Sequence, residues 1–200
     1  MELKFSDTYF RLATRKDKQA VKQVMAESFK NDPCIMWLTE QTSRKDKVDV
    51  IVDYMVDETF EDGSIYITQD NSAVALWKTG KKEKFTWKFI TRNLSFLIKM
   101  GIRCVIRNLK NKEDITRHFA KRRNFCYLYA IGVMPQSQGL GLASKLMNPV
   151  IEACKKINLP LFLETANAKN VAIYQKKGFV ITDTLSHNST TIFYMRHALI

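Results

Sequence analysis

The chain has 200 residues, 46% hydrophobic and 26% charged, which suffices for one substantial core and is short for two, so a single domain over 1–200 is expected. No run of about eighteen apolar residues occurs, and Met1–Phe10 carries no apolar block, so neither a membrane span nor a secretory signal is indicated; a cytoplasmic location and no membrane partner are the default expectations. The formal charge of +12 is unevenly placed: 15 Lys and Arg stand against 3 acids between Lys78 and Arg123, and the rest of the chain is balanced.

In chain order, Tyr9–Ala13 reads as a first strand, and Lys16–Lys30 as a helix with Val21, Val24, Met25 and Phe29 on one face. Asn31-Asp32-Pro33 stops it, because a residue before proline is pushed out of the helical region. Pro33 then opens a short helix with Asp32 as N-cap, carrying Ile35, Met36, Trp37 and Leu38 for hydrophobic packing. Ser43 begins the next helix, with Val48, Ile51, Val52, Met55, Val56 and Phe60 in phase and Gly63 as its stop. Ser64–Thr68 and Ala73–Lys78 read as a hairpin turning at Gln69–Ser72.

The basic segment follows as a loop at Thr79–Lys82 and one or two helices from about Phe85 to Ala120, interrupted near Gly101. Then comes Tyr127–Val133, an apolar run of strand length suited to a strand covered on both faces. Gln138-Gly139-Leu140-Gly141-Leu142-Ala143 opens directly into a helix with Leu142, Leu146, Val150 and Cys154 at four-residue spacing. Strand, glycine turn and helix start make an anion site: the first turn leaves backbone N–H groups unpaired at the positive end of the helix dipole. Leu161–Thr165 reads as the next strand, followed by a polar loop and short helix to Tyr174, then Gly178–Thr182 and Thr190–Met195 as paired strands around a loop at Ser186–Ser189.

Gln138, Gly141 and Ala143 match the Gln/Arg-x-x-Gly-x-Gly/Ala pattern, and the loop resembles the acetyl-CoA-binding motif of the GNAT N-acetyltransferase superfamily. Downstream, Asn167–Tyr174 and Gly178-Phe179 are similar to that family's Asn-to-Tyr-to-Gly-Phe signature in order and spacing, and Asp32-Pro33 through Trp37-Leu38 resembles the Asp-Pro-x-x-x-Trp-Leu segment of one of its branches. The resemblance implies an α/β (α+β) fold: a mixed central sheet of about six to seven strands, helices on both faces, and here a helical insertion (about 79–123) before the central strand, over the acceptor side of the cleft.

By the same resemblance, the backbone at Ile131 and Val133 pairs with the pantetheine arm of acetyl-CoA, Gln138, Gly139, Gly141, Leu142 and Ala143 hold its diphosphate, and Asn167, with Asn170 less clearly, binds the arm. Tyr174 takes the position of the general acid, with a core aromatic as the other reading. Trp37, Met36, Tyr127 and Tyr129 are the candidate acceptor wall. The family often places a carboxylate base on the strand before the glycine loop; that strand here has none, and Glu164 on the next strand is the nearest candidate.

Cys34, Cys104, Cys126 and Cys154 form no C-x-x-C pair and the three histidines are scattered, so reduced thiols and no metal site are expected. The leading function is acetyl transfer to a primary amine of a small-molecule acceptor by direct attack in a ternary complex. A catalytically idle acyl-CoA-binding module is the alternative, since the strand carboxylate is missing. Nucleic-acid binding through the basic segment ranks last, because a charge run on helices is usually a solvated face. The segment's field would instead favour coenzyme A phosphates or an anionic acceptor. The sequence is compatible with a homodimer and does not identify the acceptor.

Overall fold

Seven strands pair into one sheet: β1 (Phe10–Leu12), β2 (Ser64–Thr68), β3 (Ala73–Thr79), β4 (Cys126–Val133), β5 (Leu161–Thr165), β6 (Phe179–His187) and β7 (Thr190–His197), in the order β1-β2-β3-β4-β5-β7-β6. The computed structural model describes residues 8–40, 45–80, 86–119, 124–187 and 190–198. All neighbouring strands are antiparallel except β4 and β5, which run parallel. The helices are α1 (Lys18–Phe29), α2 (Pro33–Leu38), α3 (Lys47–Asp62), α4 (Trp87–Met100), α5 (Ile102–Phe119), α6 (Leu142–Lys156) and α7 (Ala168–Gln175).

Strand alternation sorts the core into two layers. Ala73, Ala75 and Trp77 of β3 join Cys126 and Leu128 of β4 against Leu146, Val150 and Cys154 of α6. The intervening Val74 and Leu76 point the other way, against Val21, Val24 and Met25 of α1 and Val52 and Val56 of α3. Ala130 also lies on the α1–α3 side, although it is two residues beyond Leu128. The change of face is a β-bulge: Leu76 pairs with Ala130 but Trp77 with Leu128, leaving Tyr129 as the extra residue.

The basic segment folds as the helix pair α4–α5, broken at Gly101 with φ of 79°. Its buried residues Phe96, Met100 and Cys104 pack with Ile35, Ile51 and Tyr54, so the pair sits on α2 and α3. The Ser43 helix start, the Phe85 and Ala120 boundaries and the cluster Lys121-Arg122-Arg123 lie outside the described residues.

The C-terminal hairpin corrects the sequence reading. β6 runs on to His187 rather than ending at Thr182, and β7 reaches His197. Most of β6 past Phe179 is exposed, so pairing to β7 sets its length and no apolar alternation marks it. Ser186 and His187 belong to this strand, while Asn188 and Ser189 lie outside the described residues.

Candidate active site

The parallel pair β4–β5 holds together over only three positions, Cys126 with Leu161, Tyr127 with Phe162 and Leu128 with Leu163. Beyond the bulge at Tyr129, β4 stays with β3 as far as Val133, while Glu164 and Thr165 pair with β7. The two strands therefore open into a wedge. A cavity of about 120 Å³ occupies it, walled by β4 from Leu128 to Ile131, by Glu164–Ala166, by Asn170 and Tyr174 of α7, and by the inner faces of α2, α3 and α5. The insertion thus covers the cavity through Asn108, Asn111, Lys112 and Ile115.

On the other side of the wedge the glycine loop leads into α6. Gly139 and Gly141 have φ of 81° and 73°, the left-handed region that disfavours a Cβ. No protein atom lies within 4 Å of a Cβ built at either. Backbone conformation, then, and not crowding from the protein, calls for glycine here. Gly141 is the N-cap of α6 and brings no side-chain cap to the first turn. The amides at Leu142 and Ala143 are therefore placed to take an anion at the positive end of a 15-residue helix. Gln138 donates to the Val133 carbonyl at 3.3 Å, tying loop to strand end.

Asn167 caps α7, its Oδ1 accepting from the Lys169 amide at 3.1 Å. About two turns later Tyr174 is buried in the cavity wall. Burial, helped by the negative charge of Asp32, raises its phenol to about 12, so it stays protonated through neutral pH. Asp32 lines the same cavity from the start of α2, where Oδ1 accepts from the amides of Cys34 and Ile35 at 2.9 and 3.1 Å. Burial outweighs those two bonds and raises its pKa above the ordinary aspartate value. Glu164 receives the Asn111 side-chain amide at 3.3 Å. Tyr127 lies behind it, its phenol pushed well up by burial and next by the Glu164 charge.

The structure thus brings Tyr174, Glu164, Asn170, Ile131 and Tyr129 around one cavity, with Tyr127 buried beside it. Trp37 and Met36 are absent from that wall. Trp37 stacks on His187, ring centroids 4.2 Å apart, and Met36 points outward, 55% exposed. Their α2 neighbours Cys34, Ile35 and Leu38 face the cavity instead.

A second group was not read from the sequence. Glu58 of α3 is fully buried, paired with Lys78 of β3 at 2.8 Å and with Lys112 of α5. Lys112 also donates to the Tyr54 hydroxyl at 3.1 Å, and the Tyr129 phenol is raised first by burial and then by the Glu58 charge. This network fastens the insertion to the sheet beside the cavity. Glu58 follows Ile51 and Met55 at helical phase, and an acid inside an apolar stripe is the signal that marks it. Among the described residues no cluster of three or more His, Cys, Asp or Glu is arranged for a metal, and no helix is long and apolar enough to cross a membrane.

Residues 102–179 match the model of the acetyltransferase (GNAT) family. An uncharacterized N-acetyltransferase of Schizosaccharomyces pombe is 24% identical over 181 residues, covering 85% of this chain and 73% of that protein. Arylalkylamine N-acetyltransferase 2 from Aedes aegypti has a TM-score of 0.67 at 12% identity, over 96% of this chain and 98% of that one. A histone acetyltransferase and related acetyltransferase from Corynebacterium glutamicum has a TM-score of 0.66 at 18% identity, over 96% of each chain. The fold is that of the GNAT acetyltransferases. The family model and the yeast relative support membership of the superfamily, and with it the enzyme class, an acyltransferase of the N-acetyltransferase kind.

Proposed function

We propose that this chain uses acetyl-CoA to acetylate the primary amine of a small acceptor by direct attack in a ternary complex. The observation that carries the reading is the β4–β5 wedge, with an uncapped helix start on one side and, on the other, a lined cavity bearing Tyr174 and two carboxylates. Acetyl-CoA, when bound, supplies an activated thioester. The backbone at Ile131 and Val133 pairs with its pantetheine arm as an added strand would. The loop and helix start from Gln138 through Gly139, Gly141, Leu142 and Ala143 take the diphosphate. Asn167 and Asn170 bind the arm near the reacting end, Asn167 through its side-chain nitrogen, since its oxygen caps α7.

Tyr174 donates to the sulfur as charge develops there. A phenol near 12 does not release its proton readily to a thiolate of pKa about 8.5, so hydrogen-bond stabilisation is its larger contribution. Two carboxylates answer the missing one on β4, and this favours an enzyme over an idle binding module. Of the two, Asp32 fits the base better than Glu164, the original candidate. Asn111 and Tyr127 already engage Glu164, whereas burial makes Asp32 more basic than an ordinary aspartate. Tyr127 and Tyr129 shape the acceptor side, and the acceptor itself is small because the cavity is closed by α5. The structural likeness to an arylalkylamine N-acetyltransferase agrees with an amine of that size.

Acetyl-CoA at about 100 times its Kd is expected to raise Tm by about 5–10 °C. Gly141→Val, strained at φ of 73°, should remove that shift. An unchanged shift in the variant places the co-substrate elsewhere. A pH profile tests the base: kcat/KM should fall as pH drops through the Asp32 pKa, at a pH above the usual aspartate value of about 3.9, because the protonated carboxyl accepts no proton. Asp32→Asn should abolish that limb and lower kcat/KM by about 10²-fold or more, with Glu164→Gln keeping the limb. Loss of the limb in Glu164→Gln alone would transfer the role to Glu164.

A further inference from the structure

The insertion turns one face to the protein and leaves a second apolar face without a partner. Trp87, Leu94 and Ile98 of α4 and Ile102, Ile106 and Leu109 of α5 are 46–77% exposed. On each helix they recur at intervals of three, four or seven residues, which places them on one stripe. The stripes lie opposite Phe96, Met100 and Cys104, which are buried against α2 and α3. Ile98 and Ile102 flank Gly101, itself exposed, so the stripes meet at the bend between the helices.

Charge frames this face. Arg92, Arg107 and Lys112 turn inward to Glu61, Glu40 and Glu58 and hold the insertion in place. Lys88, Lys99, Arg103 and Lys110 make no ion pair among the described residues, and all four are exposed. Around α4, Lys88 and Lys99 border the apolar stripe; around α5, Arg103 and Lys110 do. A strongly amphipathic helix with Trp, Ile and Leu flanked by Lys and Arg has the composition that settles into a bilayer interface, its apolar side chains about 5–10 Å deep and its cations at the headgroups. We infer that the outer face of α4–α5 is a docking surface for an anionic membrane.

Charge complementarity selects this occupant. A second copy would bring two like-charged rims together. Nucleic acid would leave five exposed aliphatic side chains facing phosphates. A spanning segment needs a long apolar run, whereas an interfacial helix needs only one apolar face. α5 turns its opposite side to the cavity, so docking would set the candidate acceptor site immediately behind the membrane surface.

Co-sedimentation of the full chain with phosphatidylcholine vesicles, with and without phosphatidylserine, tests the inference. Binding is expected only with phosphatidylserine, weakened on going from about 0.1 M to about 0.5 M salt. It should come with a blue shift in tryptophan emission reporting Trp87, since Trp37 and Trp77 are buried. Ile98→Gln with Ile102→Gln should lower partitioning by about tenfold or more, and Lys99→Gln with Arg103→Gln by about fivefold per charge. All four positions are exposed, and an unchanged melting temperature confirms that the variants are folded. The inference is overturned if the protein sediments with neither vesicle or equally with both. It is also overturned if the apolar variant binds as wild type while the charge variant loses affinity for polyanions in general. Dissociation of a dimer by Ile98→Gln without vesicle binding by the wild type assigns the face to a second copy and overturns it as well.

Discussion

Glu58→Ala is expected to lower stability by about 3–5 kcal/mol, because it removes the buried carboxylate shared by Lys78 and Lys112 and leaves Lys78 the longer pair with Asp62 at 3.4 Å and Lys112 the Tyr54 hydroxyl. In a domain of this size that is a fall in Tm of about 6–20 °C. The same substitution at Glu152, whose pair with Lys155 at 3.1 Å is exposed on both sides, should change stability by about 0.5 kcal/mol or less. Calorimetry on the two variants separates buried from surface pairing. Equal effects would mean that the Glu58 network contributes nothing beyond an ordinary surface pair. The network reaches from α3 to β3 and α5, so Glu58→Ala should also loosen the insertion over the cavity before the sheet itself opens. Faster amide exchange at α5 than at β4 is the signature.

The residues that were legible in the sequence are those whose function follows from local backbone. Gly139 and Gly141 announce a turn into a helix, the apolar run through Val133 announces a buried strand, and the polar stretch before Tyr174 announces a loop and short helix, each from a few neighbouring residues. What escaped needed tertiary information. Glu58 meets its partners 20 and 54 residues away in the chain, so only the folded molecule shows why an acid sits inside an apolar stripe. Asp32 was read as a cap, and it is one; its place in the cavity wall depends on the approach of α7, which α2 does not encode. Trp37 and Met36 were assigned to the pocket by the likeness of a segment. A helix of six residues offers too few turns to fix its phase, and the phase realised presents Cys34, Ile35 and Leu38. β6 was cut short because its outer half is exposed and paired on one side only, so its length is set by hydrogen bonding to β7 and leaves no apolar trace.

Tyr174→Phe is expected to lower kcat by about 10²-fold or more while the Tm shift with acetyl-CoA stays near the wild-type value. The ring remains, including its edge contact with Phe179 at 6.1 Å, so packing is kept and only the hydroxyl is lost. If the hydroxyl acts on charge that appears at sulfur during transfer, its loss falls on kcat and on kcat/KM alike and leaves ground-state binding alone. A structural role would behave differently, lowering Tm and the acetyl-CoA shift together. With the phenol near 12 in the free protein, Tyr174 should set no alkaline limb in kcat/KM within the ordinary assay range. Amine acceptors of decreasing pKa then give an independent check, since the protonation of the amine, not of Tyr174, should govern the approach to maximal rate. Wild-type turnover in Tyr174→Phe would remove the donor from the proposed chemistry. The sulfur would then depend on backbone amides at the mouth of the wedge.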